Sequence, residues 1–522
     1  MTFRSATLLA LLLAGCATQA PSSHGPIDAA AIARHVEVLA SDAFEGRAPG
    51  TAGETKTVTY IVDQMKAAGL QPGNHGSWFQ EVPLVEVAPS TAAILRVEGK
   101  QGAAAFEWGE DAVITNPRMA PNAQLNGSDL VFVGYGIEAP DRGWNDFAGV
   151  DLRGKTAVML AGVPETLKGA AQLGASAAKT ATAARLGAAG ALVILAPDYT
   201  EKQWDALVAG ARHPEVHLEG KGGALTIDAR LLNEAADRLF AASGHDYAAL
   251  RATAGKPGFK PVPLGSRASV RLDGPVRHFK SKNVIGLLPG AKRPDEYVLF
   301  LAHWDHLGRC APGKPDPICN GAVDNASGVG GLLELANAFA KGKRPERSIL
   351  FMATTAEEAN LLGTRYYAEH PVVPLARTVA GLGADTIAIA GPADVVVLGA
   401  GLSPDLDRLI SGIAARQGRK VIADKASESF FERSDHYPLS AAGVPVLIAT
   451  SIFAPGAQAE TAKYFAERYH KPSDEYRPDL RFDGAALDMD LAYRFGLALA
   501  NSRAWPAWKP GTPYAAARAK QR

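Results

Sequence analysis

The stretch YVLFLAHWDH, residues Tyr297–His306, is a continuous apolar run that ends in a histidine, an aspartate and a second histidine. A short, uninterrupted apolar run is typical of a parallel strand that is buried on both faces. RSILFMATTAEE (Arg347–Glu358) has the same form and ends in two glutamates, and a third apolar run, Val379–Ile389, carries Asp385. We therefore predict an α/β fold with a mixed, mostly parallel sheet between layers of helices.

Parallel strands present their carboxyl ends at one edge of a sheet, and α/β proteins bind ligands in the crevice at that edge. Any one of these polar residues alone would be typical of a surface charge or a helix cap. Together they form a set of imidazoles and carboxylates, which zinc-like ions accept, and one carboxylate can bridge two ions about 3.5–4 Å apart. The candidate metal ligands are His303, Asp324, Glu358, Asp385 and His470. Glu357 lies beside a ligand and can take a proton from water at the metals, so we predict a hydrolytic site.

Five phrases that contain these residues resemble the motifs of the co-catalytic dizinc aminopeptidases. The wider relatives of that family include glutamate carboxypeptidases, glutaminyl cyclases and transferrin-receptor-like proteins. The phrases are LAHWDHLG (Leu301–Gly308), NGAVDNASG (Asn320–Gly328), TTAEEANLLGT (Thr354–Thr364), AGLGADTIAIAG (Ala380–Gly391) and RYHKPSDEY (Arg468–Tyr476). They occur in the family's order, and the resemblance implies the zinc exopeptidase fold with two Zn²⁺ ions.

The resemblance also implies a role for each residue. It places one ion on His303, Asp324 and Asp385, and the other on Asp324, Glu358 and His470, with Asp324 as the bridge. Glu357 matches the general base, and Asp305 matches the carboxylate that orients a ligand histidine. A cis peptide bond is expected between Asp324 and Asn325. One position departs from the pattern, because Gly383 stands where the family often has asparagine.

A further segment, FFERSDHYPLSAAGVPVLIAT (Phe430–Thr450), resembles the family's Arg-Ser-Asp-His segment beside the substrate pocket. Ser434 and Asp435 are predicted to support the ligands through hydrogen bonds, and His436 is a further candidate. The alternative is a polar loop before a strand. His306, which follows His303 by three residues, is interpreted as structural because the five ligands already complete the site.

The N-terminus MTFRSATLLALLLAGC has one early arginine and an apolar core too short to span a bilayer, which is typical of a signal peptide. Its last four residues resemble the bacterial lipoprotein cleavage box. This resemblance predicts a diacylglyceryl group on Cys16, a tether over residues 17–26, and attachment to the membrane through the lipid only. Because aspartate does not follow Cys16, we expect the outer membrane, facing the periplasm. An ordinary signal peptide that is cut nearby is the alternative.

The two other cysteines, Cys310 and Cys319, flank a Pro- and Gly-rich loop between His303 and Asp324. In an oxidising periplasm we expect them to form a disulfide, which stabilises by roughly 2–3 kcal/mol in the chain-entropy model. The alternative is a pair of free thiols that join the metal ligands.

Composition argues against several other functions. The 522 residues have a formal net charge of zero and no basic stripe, so we predict no nucleic-acid partner. The sequence lacks a G-x-S-x-G nucleophile elbow and a phosphate-binding G-x-x-x-x-G-K-[ST] loop. HPEVH (His213–His217) has two histidines at helical spacing, but Pro214 lies between them, so we predict no metal site there. The oligomeric state is not defined by the sequence.

Between residues 88 and 278, short Val, Leu and Phe runs alternate with turn residues. This segment resembles a β-rich protease-associated domain, inserted into a catalytic domain formed by residues 27–87 and 279–505. We interpret it as a lid or substrate-selecting module, with a spacer as the alternative. Residues 506–522 are predicted to be a loose tail.

The predicted function is a zinc-dependent aminopeptidase that acts on peptides with a free N-terminus, with Glu357 as general base for a water activated by the metals. The acidic site also suits a free α-amino group. A metallocarboxypeptidase, for which Arg433 is the nearby basic candidate, and a glutaminyl cyclase are alternatives on the same fold. A catalytically inert binding protein is the third alternative, but the chain keeps all the ligands and the base.

Overall fold

The computed structural model describes residues 25–424 and 427–521. The predicted signal peptide of residues 1–16, with Cys16, and all but the end of the predicted tether lie outside the described residues. Within the described ranges, no helix combines the length and the apolar character needed to cross a membrane.

In these ranges the strands form a ten-stranded sheet, an eight-stranded sheet and a two-stranded pair. In chain order they are β1 (Gln71–Pro72), β2 (Phe79–Val87), β3 (Ile94–Gly99), β4 (Gly102–Glu107), β5 (Ala112–Thr115), β6 (Asn122–Phe132), β7 (Glu138–Ala139), β8 (Trp144–Asn145), β9 (Thr156–Leu160), β10 (Gly190–Ile194), β11 (Glu215–Leu218), β12 (Ile227–Leu231), β13 (Val262–Asp273), β14 (Val276–Leu288), β15 (Arg293–His303), β16 (Arg347–Thr354), β17 (Thr378–Gly383), β18 (Val395–Leu398), β19 (Val421–Ile422) and β20 (Val446–Thr450).

The α-helices lie mainly in the parts of the chain that flank the ten-stranded sheet. In chain order they are α1 (Ala29–Leu39), α2 (Ala52–Ala67), α3 (Ser176–Arg185), α4 (Glu201–Ala211), α5 (Asn233–Ala242), α6 (Tyr247–Ala254), α7 (Gly328–Lys341), α8 (Leu362–Glu369), α9 (Pro404–Arg416), α10 (His436–Ala441), α11 (Gln458–Glu467), α12 (Asp483–Ala500) and α13 (Pro513–Ala519).

The ten-stranded sheet, called here the first sheet, has the order β11-β2-β14-β16-β15-β17-β20-β18-β19, with β1 on β14. Its four central strands, β16, β15, β17 and β20, are parallel. The strands on the β14 side pair antiparallel, as do β20 and β18. The prediction of a mixed α/β fold is confirmed, with parallel pairing concentrated at the centre.

Helices cover both faces of the first sheet. All eight residues of β16 are buried, as expected for a strand with no solvent-facing side. On one face, Phe300 and Phe351 pack with Phe339 of α7 and Phe495 of α12. On the other face, Tyr367 of α8 lies in a core with leucines of β15 and α10. Burying each of these side chains stabilises the fold by about 1.5–3 kcal/mol.

The eight-stranded sheet, called here the second sheet, has the order β4-β3-β13-β6-β9-β10-β12-β5 and its own apolar core. It lies within the segment predicted as an insertion, and the protease-associated identity of that segment stays a prediction. One strand of the segment departs from the predicted division, because β11 pairs with β2 and belongs to the first sheet.

The prediction of a loose C-terminal tail is wrong for the described residues up to 521. Trp508 is buried and donates from Nε1 to the carbonyl of Gly443 (2.9 Å). Arg518, in α13, donates to the carbonyls of Leu375 and Thr378 (both 2.8 Å). Trp508 and the guanidinium of Arg518 therefore fix this segment against the first sheet.

Candidate metal centre

The three predicted strand ends meet at one edge of the first sheet. β15 ends at His303, directly opposite Thr354 at the end of β16. Glu357 and Glu358 follow β16, and Asp385 follows β17. Because the carboxyl ends of parallel strands share an edge, the local sequence brings these side chains together.

Asp324 reaches the same edge from the turn before α7. The peptide bond between Asp324 and Asn325 is cis. The Asn325 side chain donates from Nδ2 to the carbonyl of Ala384 (3.1 Å) and accepts at Oδ1 from the N–H of Thr386 (3.2 Å). These bonds tie the turn that carries Asp324 to the residues on either side of Asp385.

The buried imidazole of His303 lies among three carboxylates. Its Nε2 is 3.3 Å from Asp324 Oδ1, 3.5 Å from Asp385 Oδ1 and 3.9 Å from Glu357 Oε2. The ligand atoms of His303, Glu357 and Asp385 all lie within 4.8 Å of one another. This spacing leaves room for one metal ion between them.

A second group of donors lies on the other side of Asp324. His470 Nε2 is 3.3 Å from Asp324 Oδ2 and 3.0 Å from Glu358 Oε2. Asp324 therefore directs one oxygen to each histidine, as a bridging ligand does. The His470 side chain is 37% exposed, so the centre is open to solvent on this side. The ring of Tyr469 stacks on the imidazole, with centroids 3.8 Å apart.

His306 lies closer to this group than its structural interpretation from sequence implied. Its Nδ1 is 2.6 Å from Glu358 Oε1, and its buried Nε2 has no hydrogen-bond partner among the residues described. The ligand atoms of His306, Asp324 and Glu358 also lie within 4.8 Å of one another. His306 therefore holds Glu358 in place and offers a nitrogen beside His470.

The charge of the centre fits divalent cations. Within residues 25–424 and 427–521, every ion pair of Asp324, Glu357, Glu358 and Asp385 is with a histidine. A buried group of carboxylates is unfavourable unless cations neutralise it. Carboxylate oxygen and imidazole nitrogen are the ligands that zinc takes, so the residues present fit zinc.

The burial and crowding of these carboxylates also shift the pKa values of the centre. Burial, together with the charges of Asp385 and Glu358, raises the pKa of Glu357 well above its usual value. Burial opposes the charged form of His470, but the carboxylates of Asp324 and Glu358 raise its pKa to about 10. Without a metal, protons bound to these side chains therefore balance the negative charge of the site. Metal binding would release those protons.

The structure places Asp305 differently from its predicted role. Its Oδ1 is 3.9 Å from His303 Nδ1, which is too long for a hydrogen bond, whereas the carbonyl of Asp305 lies 3.2 Å from that nitrogen. The carboxylate instead accepts from the backbone N–H groups of Glu357 (3.1 Å) and Glu358 (3.3 Å). Asp305 therefore fixes the turn that carries both glutamates. Burial raises its pKa to about 7.

Ser434 and Asp435 lie next to the centre but make different contacts. Ser434 Oγ donates to Asp385 Oδ2 (2.9 Å). Asp435 accepts from Thr364 Oγ1 (2.7 Å) and from the hydroxyl of Thr354, so it joins α8 to the end of β16 rather than contacting a ligand. His436 is buried, and neither ring nitrogen has a partner in the part of the chain described.

Asp474 is a supporting residue that the sequence interpretation missed. It is fully buried and accepts from the N–H groups of Val323 (3.2 Å) and Asp324 (3.1 Å). It also accepts from Tyr464 Oη (3.0 Å) and from the Arg468 guanidinium (3.3 Å). Its position four residues after His470, in RYHKPSDEY, was the available signal.

Arg47 is a second missed residue, and it stabilises the loop between His303 and Asp324. The buried guanidinium donates to the carbonyls of Trp304 (2.9 Å), Asn320 (2.5 Å) and Gly321 (2.8 Å). Its available signal was the EGRAPGT phrase (Glu45–Thr51). A disulfide between Cys310 and Cys319, with Cα atoms 5.7 Å apart, closes part of the same loop.

A small pocket with a polar side at the candidate ligands and an apolar side opens beside His303 and Glu357. It has a volume of about 50 Å³. Its apolar lining consists of Leu398, Phe430, Ile448, Ile452, Phe453, Phe465 and the ring of Tyr469. Arg433 also lines it, with its guanidinium 4.9 Å from the centroid of the Phe430 ring. The pocket could hold an apolar side chain next to the reacting atoms.

The HPEVH segment is extended rather than helical, because Glu215–Leu218 forms β11. His217 Nε2 lies 3.3 Å from Glu215 Oε2. Over the described ranges, neither of the two metal-sized groups of ligands includes a residue of this segment. The two histidines of this segment therefore do not form part of a metal-sized cluster among the described residues.

Comparison with known proteins agrees with this geometry. Residues 283–490 match the model of peptidase family M28. Mouse aminopeptidase NAALADL1 is 36% identical over 138 residues, which are 25% of this chain and 17% of the relative. A probable zinc metalloprotease of Pyrenophora teres f. teres is 41% identical over 91 residues, which are 16% of this chain and 18% of the relative. The chain thus spans about a fifth of the length of these curated relatives.

A solved aminopeptidase from Aneurinibacillus sp. strain AM-1 shares the fold, with a TM-score of 0.56 and 19% identity over 93% of this chain and 97% of that one. The sequence relatives include aminopeptidases, probable glutamate carboxypeptidases and zinc metalloproteases. Residues 283–490, which contain the whole candidate metal centre, are thus the part of the chain that is similar to peptidase family M28.

Proposed function

We propose that this protein is a zinc-dependent aminopeptidase that holds two metal ions. The observation that carries the proposal is Asp324, which directs one carboxylate oxygen to His303 and the other to His470. One ion would be held by His303, Asp324 and Asp385, and the other by Asp324, Glu358 and His470. When bound there, zinc lowers the pKa of a water molecule and polarises a peptide carbonyl.

Glu357 is the general base of this proposal. Its neighbour Glu358 contacts two histidines, whereas Glu357 keeps a more open position, 3.9 Å from His303 Nε2. Burial and the neighbouring carboxylates raise its pKa well above the usual glutamate value, which favours a carboxylate that accepts a proton. Glu357 takes the proton of the attacking water and returns it to the amine that leaves.

The apolar side of the pocket would receive the side chain of the N-terminal residue. Because Phe430, Ile448 and Phe453 line that side, we expect apolar N-terminal residues to be preferred over charged ones. The carboxylates of the centre attract the ammonium group of a free N-terminus, which favours an aminopeptidase over an endopeptidase.

The test is release of nitroaniline from leucyl-p-nitroanilide by the chain without its first 16 residues, with zinc content measured on the same samples. We expect Glu357→Gln to lower kcat by about 10²–10⁴-fold while it keeps its zinc. Glu467→Gln, at an exposed position, is the matched control and is expected to stay active. Full activity of a zinc-loaded Glu357→Gln variant would remove Glu357 as the base.

A carboxypeptidase is the second candidate, because Arg433 lines the pocket and could hold a terminal carboxylate. Zinc-loaded protein that releases nothing from any aminoacyl-nitroanilide but trims peptides from the carboxyl end would favour it. We also propose, from the N-terminal motif alone, that a lipid on Cys16 anchors the protein to the outer membrane, facing the periplasm. Fatty-acid labelling that is lost in Cys16→Ser would test this anchor.

A further inference from the structure

A wide groove separates the two sheets and leads into the candidate metal centre. Its volume is about 1040 Å³. Asp305, His306 and Glu358 line its inner end, and α4 lines its outer wall. Glu215, Val216 and His217 of β11 line it as well. A molecule that reacts at the metals therefore has a continuous path past β11.

β11 is the edge strand of the first sheet. It pairs antiparallel with β2, and within the described residues no strand pairs with its other side. The N–H of Glu219 donates to the carbonyl of Pro83 (3.0 Å), and that of Ala88 donates to Pro275 across the next pairing (3.0 Å). Antiparallel strands alternate between residues that bond to one neighbour and residues that bond to the other.

This alternation assigns the hydrogen-bonding direction of each residue in β11. Glu215 and His217 bond to β2, so Val216 and Leu218 turn their N–H groups away from β2. The Leu218 carbonyl already accepts from Lys221 (3.2 Å). The N–H and C=O of Val216 have no partner in residues 25–424 and 427–521. Val216, which is half-buried, thus offers one donor and one acceptor on the groove side.

We propose that the part of a peptide substrate that follows the cleaved bond lies in this groove and pairs with β11 as an added strand. The proposal rests on the aminopeptidase function and extends it to the substrate class, which is extended peptides rather than dipeptides. Pairing through the main chain tolerates many side chains. The groove is continuous with the candidate metal centre, where the N-terminus of the substrate must lie. We therefore assign the rest of the substrate peptide to this groove.

The geometry also sets the length of peptide that reaches β11. β11 is separated from β16 by β2 and β14, which places it about 14 Å to the side at about 4.8 Å per strand. An extended peptide covers about 3.4 Å per residue, so about four to five residues bridge this distance. A nitroanilide and a tripeptide end before β11, whereas an octapeptide reaches it.

The experiment uses a set of octapeptides with an N-terminal leucine, each N-methylated at one backbone nitrogen from the fourth to the eighth residue. Their binding to the zinc-loaded Glu357→Gln protein is measured by fluorescence anisotropy. The groove side of β11 offers one free acceptor, the Val216 carbonyl, so we expect methylation to weaken binding about five- to tenfold at one position of the peptide and little at the positions beside it. A merely steric groove would give no such single position.

Variants at Val216 supply the matched comparison. Val216→Pro removes the donor on the groove side without removing a bond to β2, and we expect it to weaken binding of the unmethylated octapeptide about five- to tenfold. Val216→Ala keeps the backbone groups, and we expect it to bind the octapeptide as the wild-type strand does. Thermal unfolding of both variants shows whether the sheet is intact, and the methylated set on the unchanged strand decides the question even if the proline variant does not fold.

The outcomes separate this inference from the proposed function. Nitroanilide release together with equal binding of all methylated octapeptides would overturn the added strand and leave the aminopeptidase standing. Binding that is weakened at one methylated position, without hydrolysis by the wild-type protein, would support the added strand and overturn the aminopeptidase. Tripeptides that bind as tightly as octapeptides would also overturn the inference.

Discussion

Buried charges in the second sheet each have a partner close by. Lys179 donates to the carbonyls of Leu160 (2.8 Å) and Gly162 (2.5 Å). Asp228 is paired with Arg230, and Asp146 accepts from a backbone N–H. At the carboxyl edge of the first sheet, by contrast, the carboxylates of the candidate ligands crowd together, and among the described residues their ion pairs are all with histidines.

This difference separates a structural use of charge from a functional one. The side chains of Lys179, Asp228 and Asp146 are held by their own neighbours. At the edge of the first sheet, a buried group of carboxylates is unfavourable without cations. The unmatched charge, more than any one motif, points to the candidate metal centre.

The largest effect is expected when Asp474, which holds the backbone that carries Asp324, is replaced. Asp474→Ala leaves the N–H groups of Val323 and Asp324 and the Arg468 guanidinium without their acceptor. We expect the free energy of unfolding to fall by about 3–5 kcal/mol and zinc affinity to fall about 10–100-fold. Urea unfolding and zinc titration measure the two quantities.

The matched control for Asp474 is Asp479→Ala. Asp479 is exposed and forms a surface pair with Arg477 (3.1 Å), so its loss is expected to cost less than about 1 kcal/mol. Equal effects of the two substitutions would show that Asp474 is an ordinary surface-type charge.

The sequence contained most of the metal centre but not its support. His303, Glu357 and Asp385 could be predicted because each stands at or just after the end of an apolar strand. Asp474 could not be assigned, because it acts on backbone groups that only the folded chain brings to it. Arg47 was missed for the same reason.

Two other differences have a physical cause in tertiary contacts. Asp305 follows a strand and was expected to face His303, but the turn after β16 supplies two N–H groups that its carboxylate satisfies instead. The C-terminal segment has no long apolar pattern, and it is ordered by single residues, Trp508 and Arg518, that fit backbone carbonyls elsewhere. Neither contact is encoded in local periodicity.

The buried Lys179, near the second sheet, should affect how stability depends on pH. Burial lowers the pKa of Lys179 to about 8 from 10.5. The unfolded chain therefore binds this proton more readily between pH 8 and 10.5, so stability rises as pH rises through that window, by about 3 kcal/mol at most. Lys179→Met should remove that rise, as measured by urea unfolding at a series of pH values.

The control is Lys168→Met. Lys168 is an exposed lysine that also lies within residues 88–278, and its replacement should leave the slope of stability against pH unchanged. A slope that Lys179→Met does not alter would mean that the buried ammonium keeps its proton as easily in the folded state as in the unfolded chain.

A smaller effect is expected at the loop between two metal ligands. Replacing Cys310 and Cys319 by serine opens a loop with a sequence separation of nine residues, and we expect a loss of about 2–3 kcal/mol in the free energy of unfolding. Alkylation of the native protein without reductant should leave its mass unchanged. Two alkylated cysteines would show that the bond does not form.

The most direct test of the central claim is a zinc titration of the metal-free protein, with bound zinc counted by mass spectrometry and thermal unfolding followed at each step. The account predicts about two zinc ions per chain and a rising unfolding temperature. It also predicts that Asp324→Asn loses both ions, because that carboxylate faces both histidines. A wild-type chain that binds no zinc, or whose unfolding temperature does not change with zinc, would contradict it.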